Sequence, residues 1–262
     1  MNSLSMQSLF TAAALVVATG IATAANVTEI KSYQSSISTD AQGALNLTME
    51  ANYNDAVSNA PLMVMLHQYS GPSGLFDQVR PNAQQVRDKG FFVVTVAMRG
   101  REGSGGVRDS GGLEIHDIYD AVEAAKAQYG ALINPDNINI TGYSGGGGNT
   151  MSALTKFPDT FRTGGAFYGM SDYGYDANNG WYNNGAASNH KAQLDTDVGN
   201  PNTPTALITS RYMARASNLA SRNNPYSEIH FFVNSDEPTC PPINDTSYRN
   251  NAIAAAGFTG EF

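Results

Sequence analysis

The chain has 262 residues, 23 Asp and Glu against 15 Lys and Arg, and a formal net charge of −8. That length accommodates one large α/β domain or two small ones. The acidic balance argues against a nucleic-acid partner, which requires a concentrated basic surface.

The first segment, "MNSLSMQSLFTAAALVVATGIATAAN", is an apolar run followed by the small-x-small pattern Ala22-Thr23-Ala24. It reads as a signal peptide over residues 1–25, cleaved after Ala24 or Ala25, although no Lys or Arg precedes the apolar run. A membrane anchor is the alternative, but the stretch is short and rich in Ala and Thr. The expected location is secreted or periplasmic, with no membrane contact after cleavage. Residues 26–262 then form a single domain, since no internal repeat or low-complexity linker interrupts them. Cys240 is the only cysteine, an unpaired thiol that is unusual in an exported chain.

"VTEIKSYQSS" and "LNLTMEANYN" predict two strands joined by a turn from Asp40 to Gly43. "PLMVMLH" is a continuous apolar run, the pattern of a strand buried on both faces. A helix is predicted through "PNAQQVRDKG", closed by Gly90, and "FFVVTVAM" is the next buried strand. "LEIHDIYDAVEAAKAQYG" places Ile115, Ile118, Tyr119, Val122 and Ala125 on one helical face, stopped by Gly130.

"NITGYSGGGGNT", residues 139–150, combines the end of a short strand with a serine and a run of glycines. Met151, Leu154 and Thr155 follow at helical spacing, so the order is strand, tight turn with Ser144, helix. That is the context in which G-x-S-x-G forms a nucleophile elbow. Gly142 and Gly146 flank the serine where a Cβ would clash, and the Gly145 N–H is placed to meet a developing oxyanion. Gly147 and Gly148 allow close helix–strand packing. A phosphate-binding loop lacks the Lys-Ser/Thr pair it needs here, and a connector without chemistry is the plainer alternative.

Further along, "TGGAFYGM" predicts a strand, "PTALITSRYMARASNLASR" a helix, "SEIHFFVNSD" a strand and "DTSYRNNAIAAAG" a helix, with "FTGEF" beginning another strand. Residues 170–200 show no clear period. Asp172, Asp176 and Asn178 there lack the EF-hand spacing, so no metal is expected. Strands alternating with helices define an α/β fold: a mostly parallel sheet with helices on both faces and an antiparallel edge from the opening strand pair.

With these elements in place the sequence resembles the α/β-hydrolase superfamily, and within it the prolyl-oligopeptidase-type serine hydrolases and their esterase relatives. "MLHQYSGPSG", "MRGREGSGGVRDSGGLEIHDIYDAVEAAKAQY" and "GYSGGGG" carry the likeness, which runs from about Pro61 to the C-terminus. The resemblance implies a secreted serine hydrolase acting through an acyl-enzyme on Ser144, without a cofactor. Its substrate would be a small-molecule ester, a polymeric ester or a peptide. Gly145 and either Gln68 or Tyr69 would form the oxyanion hole, and Asp236, at the end of "EIHFFVNSD", would be the triad acid. Asp245 is the next candidate and Glu237 a more distant one. Tyr173 and Trp181, in the aperiodic stretch, would line a substrate cleft or else pack the stretch onto the domain.

The base is harder to place. In the family's order it follows the acid, whereas His67, His116, His190 and His230 all precede Asp236. His67 reads as a loop-ordering residue, His116 as a helix-surface residue and His230 as a packed strand residue. The expectation is that the last strand and the catalytic histidine lie beyond Phe262, together with a possible disulfide partner of Cys240. A non-catalytic α/β-hydrolase-like binding protein is the alternative that the missing base raises.

Overall fold

The computed structural model describes residues 24–69, 71, 73–224 and 226–255. Most of the predicted signal peptide and the "FTGEF" segment therefore lie outside the described residues.

The chain opens with β1 (Asn26–Asp40) and β2 (Gly43–Asn54), an antiparallel hairpin whose turn is closed by Gly43 at φ 121° and by the Asp40 carboxylate. β3 (Ala60–Leu66), β4 (Phe92–Ala97), β5 (Ile133–Tyr143), β6 (Thr163–Phe167) and β7 (Glu228–Phe232) complete one seven-stranded sheet in the order β1-β2-β4-β3-β5-β6-β7. β2 pairs antiparallel with β4, and β4, β3, β5, β6 and β7 run parallel. This is the mixed α/β sheet that the alternation of strands and helices predicts.

α2 (Glu114–Tyr129) and α3 (Gly145–Lys156) pack on one face of the sheet. Ile115, Ile118, Ala121 and Val122 of α2 and Leu154 of α3 join Leu47, Leu62, Val64, Val94, Val96 and Ile140 in the main core. α1 (Leu75–Arg87) covers part of the opposite face with Leu75, Phe76, Val79 and Ala83. It is pinned there by Arg80, whose Nε lies 2.9 Å from Oε2 of Glu50, a wholly buried carboxylate on β2.

Three local expectations change. α1 begins at Leu75, so Pro81 lies within the helix instead of opening it. β3 is buried on one face only: Met63 and Met65 are half-buried along a wide apolar cleft of about 830 Å³ between α1 and the strands β5 to β7. The predicted helix over residues 204–222 divides into α6 (Ala206–Met213) and a 3-10 segment (Ser217–Asn223), on either side of the buried Arg215. Between β6 and α6 the aperiodic stretch holds α4 (Trp181–Asn184) and α5 (Ser188–Asp197), and α7 (Ile243–Ala255) follows β7.

Candidate active site

Ser144 stands alone between the last residue of β5 and the first of α3, at φ 54° and ψ −116°. An L-residue held there stores about 1–3 kcal/mol of strain. The turn is fixed at both ends: the Ser144 N–H donates to the Phe167 carbonyl at 2.7 Å, and its own carbonyl accepts from Gly148 N at 3.0 Å.

The glycines are dictated by backbone proximity. A Cβ on Gly142 would lie 2.4 Å from the carbonyl carbon and oxygen of Gly146. One on Gly146 would lie 2.6 Å from the Leu66 carbonyl oxygen, and one on Gly148 would lie 2.6 Å from that of Met170. The helix start is thus wedged between the ends of β3 and β6 at distances only bare backbone tolerates.

Gly145 faces the loop after β3. An added Cβ there would sit 2.7 Å from both the amide nitrogen and the Cβ of Tyr69. Gln68 points outward, where its amide donates to Gln78 Oε1 at 3.2 Å. The structure therefore brings Tyr69, and not the Gln68 side chain, against Gly145. His67 is buried, with Nδ1 2.8 Å from the Gln68 carbonyl oxygen. Burial, reinforced by the Arg101 charge, pushes its pKa down to about 4, which suits a neutral ring ordering this loop.

On the opposite side the segment after β7 passes over the elbow. Cys240 is buried, and its Sγ lies 3.6 Å from Ser144 Oγ and 3.6 Å from Met170 Sδ. Burial pushes the thiol up to about 11, so it is uncharged at neutral pH. Asp236, four residues earlier, is exposed and accepts from Ser235 Oγ at 3.3 Å. Glu237 accepts from the Thr239 N–H at 2.9 Å. Asp245, in the first turn of α7, is 2 % exposed, and burial raises its carboxyl to about 7.

The aromatic residues expected at a cleft are core residues instead. Trp181 and Tyr173 are 0 % and 1 % exposed, in a second apolar cluster with Met170, Tyr182, Leu194 and Tyr212. The Trp181 indole N–H donates to the Thr239 carbonyl at 2.6 Å, tying the stretch to the Cys240 segment. Of the two readings of these rings, packing is the one their burial supports. Asp172 and Asp176, weighed above for calcium, accept neighbouring backbone N–H groups.

No histidine hydrogen-bonds Ser144 among the described residues. His116 packs edge-on against Phe157 at 5.2 Å, and His190 lies 5.6 Å from the Tyr69 ring and 5.3 Å from that of Trp181. His230, expected to be packed, is 56 % exposed on β7 and 3.0 Å from Glu228. Its side chain lies, with that of Phe232, on the face of β7 that lines the open cleft.

A strained serine after the fifth strand of this sheet, with a glycine-only helix start behind it, defines the α/β-hydrolase fold. Within that fold, residues 76–199 are similar to the prolyl oligopeptidase family. No curated protein matches the sequence. Among solved structures, a Bacteroides ovatus protein assigned as a dipeptidyl aminopeptidase IV superposes with a TM-score of 0.69 at 17% identity, covering 88% of this chain and 31% of that one. The Pyrococcus horikoshii acylaminoacyl peptidase superposes with a TM-score of 0.67 at 19% identity, covering 88% and 35%. A Mycobacterium tuberculosis puromycin-hydrolyzing peptidase gives 0.65 at 16% identity, covering 88% and 34%. At such identities the likeness is one of fold, and the chain spans about a third of the length of these proteins.

Proposed function

We propose that this protein is a serine hydrolase that opens ester or amide bonds through an acyl-enzyme on Ser144. The observation that carries the reading is the pairing of a strained Ser144 (φ 54°) with the Gly145–Tyr69 backbone contact beside it. The Ser144 hydroxyl attacks the substrate carbonyl as a base takes its proton. The oxygen that becomes negative is met by the N–H groups of Gly145 and Tyr69. Collapse expels the alcohol or amine, which recovers the proton, and water then cleaves the acyl-serine by the same route.

Asp236 is the proposed acid that orients the base. Its exposed position leaves the carboxylate open to an imidazole, whereas the Asp245 carboxyl is buried, and burial favours its protonated form. The base follows Asp236 in the chain order that the resemblance implies, since none of His67, His116, His190 and His230 reaches Ser144 by hydrogen bond. The similar structures are named as peptidases, which favours an amide over an ester substrate. Export, implied by the N-terminal segment, belongs to the same proposal.

A fluorophosphonate probe on the protein in its natural full length tests the reading. Covalent labelling that disappears in Ser144→Ala supports it, and side-by-side turnover of p-nitrophenyl esters and peptide amides assigns the bond. The absence of a Ser144–histidine hydrogen bond favours one other reading, a non-catalytic binding protein. An unlabelled protein that turns over neither substrate class would overturn the hydrolase reading.

A further inference from the structure

Tyr69 is held by more than its own loop. Its phenol lies 2.7 Å from Oγ of Ser110, and Ser110 Oγ donates to Oδ2 of Asp197 at 2.6 Å. Ser110 has one hydroxyl proton, and a carboxylate only accepts. That proton is therefore committed to Asp197, and the phenol must be the donor in the Tyr69–Ser110 bond. The polarity runs one way, from Tyr69 through Ser110 to Asp197.

Both partners of Tyr69 in this relay, Ser110 and Asp197, are anchored. Ser110 is wholly buried and held at φ 52°, a conformation that a non-glycine residue keeps only when its surroundings impose it. Its carbonyl accepts from Arg215 Nε at 3.1 Å, and the following Gly111 N–H donates to Glu114 Oε2 at 3.1 Å. Asp197 closes α5, and its second oxygen accepts from Gln193 Nε2 at 2.6 Å. The Tyr69 ring is bracketed edge-on by Trp181 at 5.4 Å and His190 at 5.6 Å.

We infer that Ser110 and Asp197 are positioning residues: through the Tyr69 phenol they hold the Tyr69 N–H beside Gly145, so that α5 sets the geometry of the oxyanion donors. The catalytic part of this inference rests on the hydrolase reading, while the anchoring part does not. The relay joins three segments that the sequence keeps far apart: the loop after β3, the loop before α2 and the helix after Trp181. A rigid oxyanion site needs such outside support, because the loop bearing Tyr69 has no regular structure of its own.

The test uses the full-length protein with Tyr69→Phe, Ser110→Ala and Asp197→Ala. Hydrogen–deuterium exchange of the segment around Tyr69 should rise about fivefold in each variant, the worth of one hydrogen bond, with β3 and α3 unchanged. Fluorophosphonate labelling of Ser144 should slow by about tenfold, less than the loss from deleting an oxyanion donor outright. The Tyr69→Phe/Asp197→Ala double variant should be no slower than either single variant, because both break one chain. Unchanged exchange in Asp197→Ala, or single-variant losses that multiply in the double, would overturn the inference. If wild-type protein takes no label, the hydrolase reading fails, and exchange alone then decides the anchoring.

Discussion

Replacing Gly142 by Ala places a methyl group 2.4 Å from the Gly146 carbonyl carbon and oxygen and 2.8 Å from its Cα. A comfortable carbon contact is about 3.5 Å, so β5 and the first turn of α3 must separate by about 1 Å. Nothing flexible can absorb this, because every opposing atom is backbone and Gly146 is itself hemmed in: a Cβ built there would lie 2.6 and 2.7 Å from the Leu66 and His67 carbonyl oxygens. Overpacking of this kind costs about 3 kcal/mol, a fall of about 6–12 °C in Tm for a domain of this size. The same displacement carries Gly145 away from Tyr69, and a misplacement of about 1 Å can slow chemistry by about a hundredfold. Thermal unfolding followed by circular dichroism reads the first effect, and the rate of fluorophosphonate labelling reads the second. Gly71→Ala is the control, since a Cβ there meets no atom within 4 Å. If Gly142→Ala matched Gly71→Ala in both measurements, the packing account of the elbow would be wrong.

Ser144→Gly should remove the hydroxyl and the strain together, raising stability by about 1 kcal/mol in urea denaturation while abolishing labelling. Arg101→Met should destabilise by about 3–5 kcal/mol, because Arg101 Nη1 lies 2.6 Å from Glu114 Oε1 and the two side chains are 3 % and 2 % exposed, so the buried carboxylate loses its countercharge. Asp245 gives a pH test: its folded pKa of about 7 lies above the ordinary 3.8, so the folded state is the better proton binder. Stability should therefore fall as pH rises from about 4 to about 7 through this group. Asp245→Asn should flatten that slope, seen as Tm against pH, and a slope identical to wild type would refute the assignment.

Much of the fold was legible because local pattern and tertiary need coincide. Ile115, Ile118, Val122 and Ala125 of the α2 stripe and Phe92, Val94 and Val96 of β4 read correctly, since the main core packs those same side chains, whereas Tyr119 is only half-buried. The elbow was legible for a sharper reason: four successive glycines make a poor helix start unless backbone crowds them, and here it does. α1 was misplaced because Pro81 signals a first turn, while the burial of Leu75, Phe76 and Val79 extends the helix before it. α5 was missed because Leu194 is its one buried residue, so it leaves no apolar period. The contacts that build the site cross long separations: 96 residues between Ser144 and Cys240, 87 between Ser110 and Asp197. No local pattern encodes them. Tyr173 and Trp181 show the limit from the other side, since an aromatic in an aperiodic stretch reads alike whether it lines a cleft or fills a core.

The thiol beside Ser144 makes the molecule its own stopwatch. Cys240 is the sole cysteine and lies buried on the segment after β7, with its proton tightly held. A small alkylating agent reaches it when that segment lifts, so adduct formation at fixed pH and reagent concentration follows the lifting as well as the thiol's own reactivity. Compared between variants of equal thiol chemistry, mass spectrometry can thus follow the breathing of the segment beside Ser144 without installing any label.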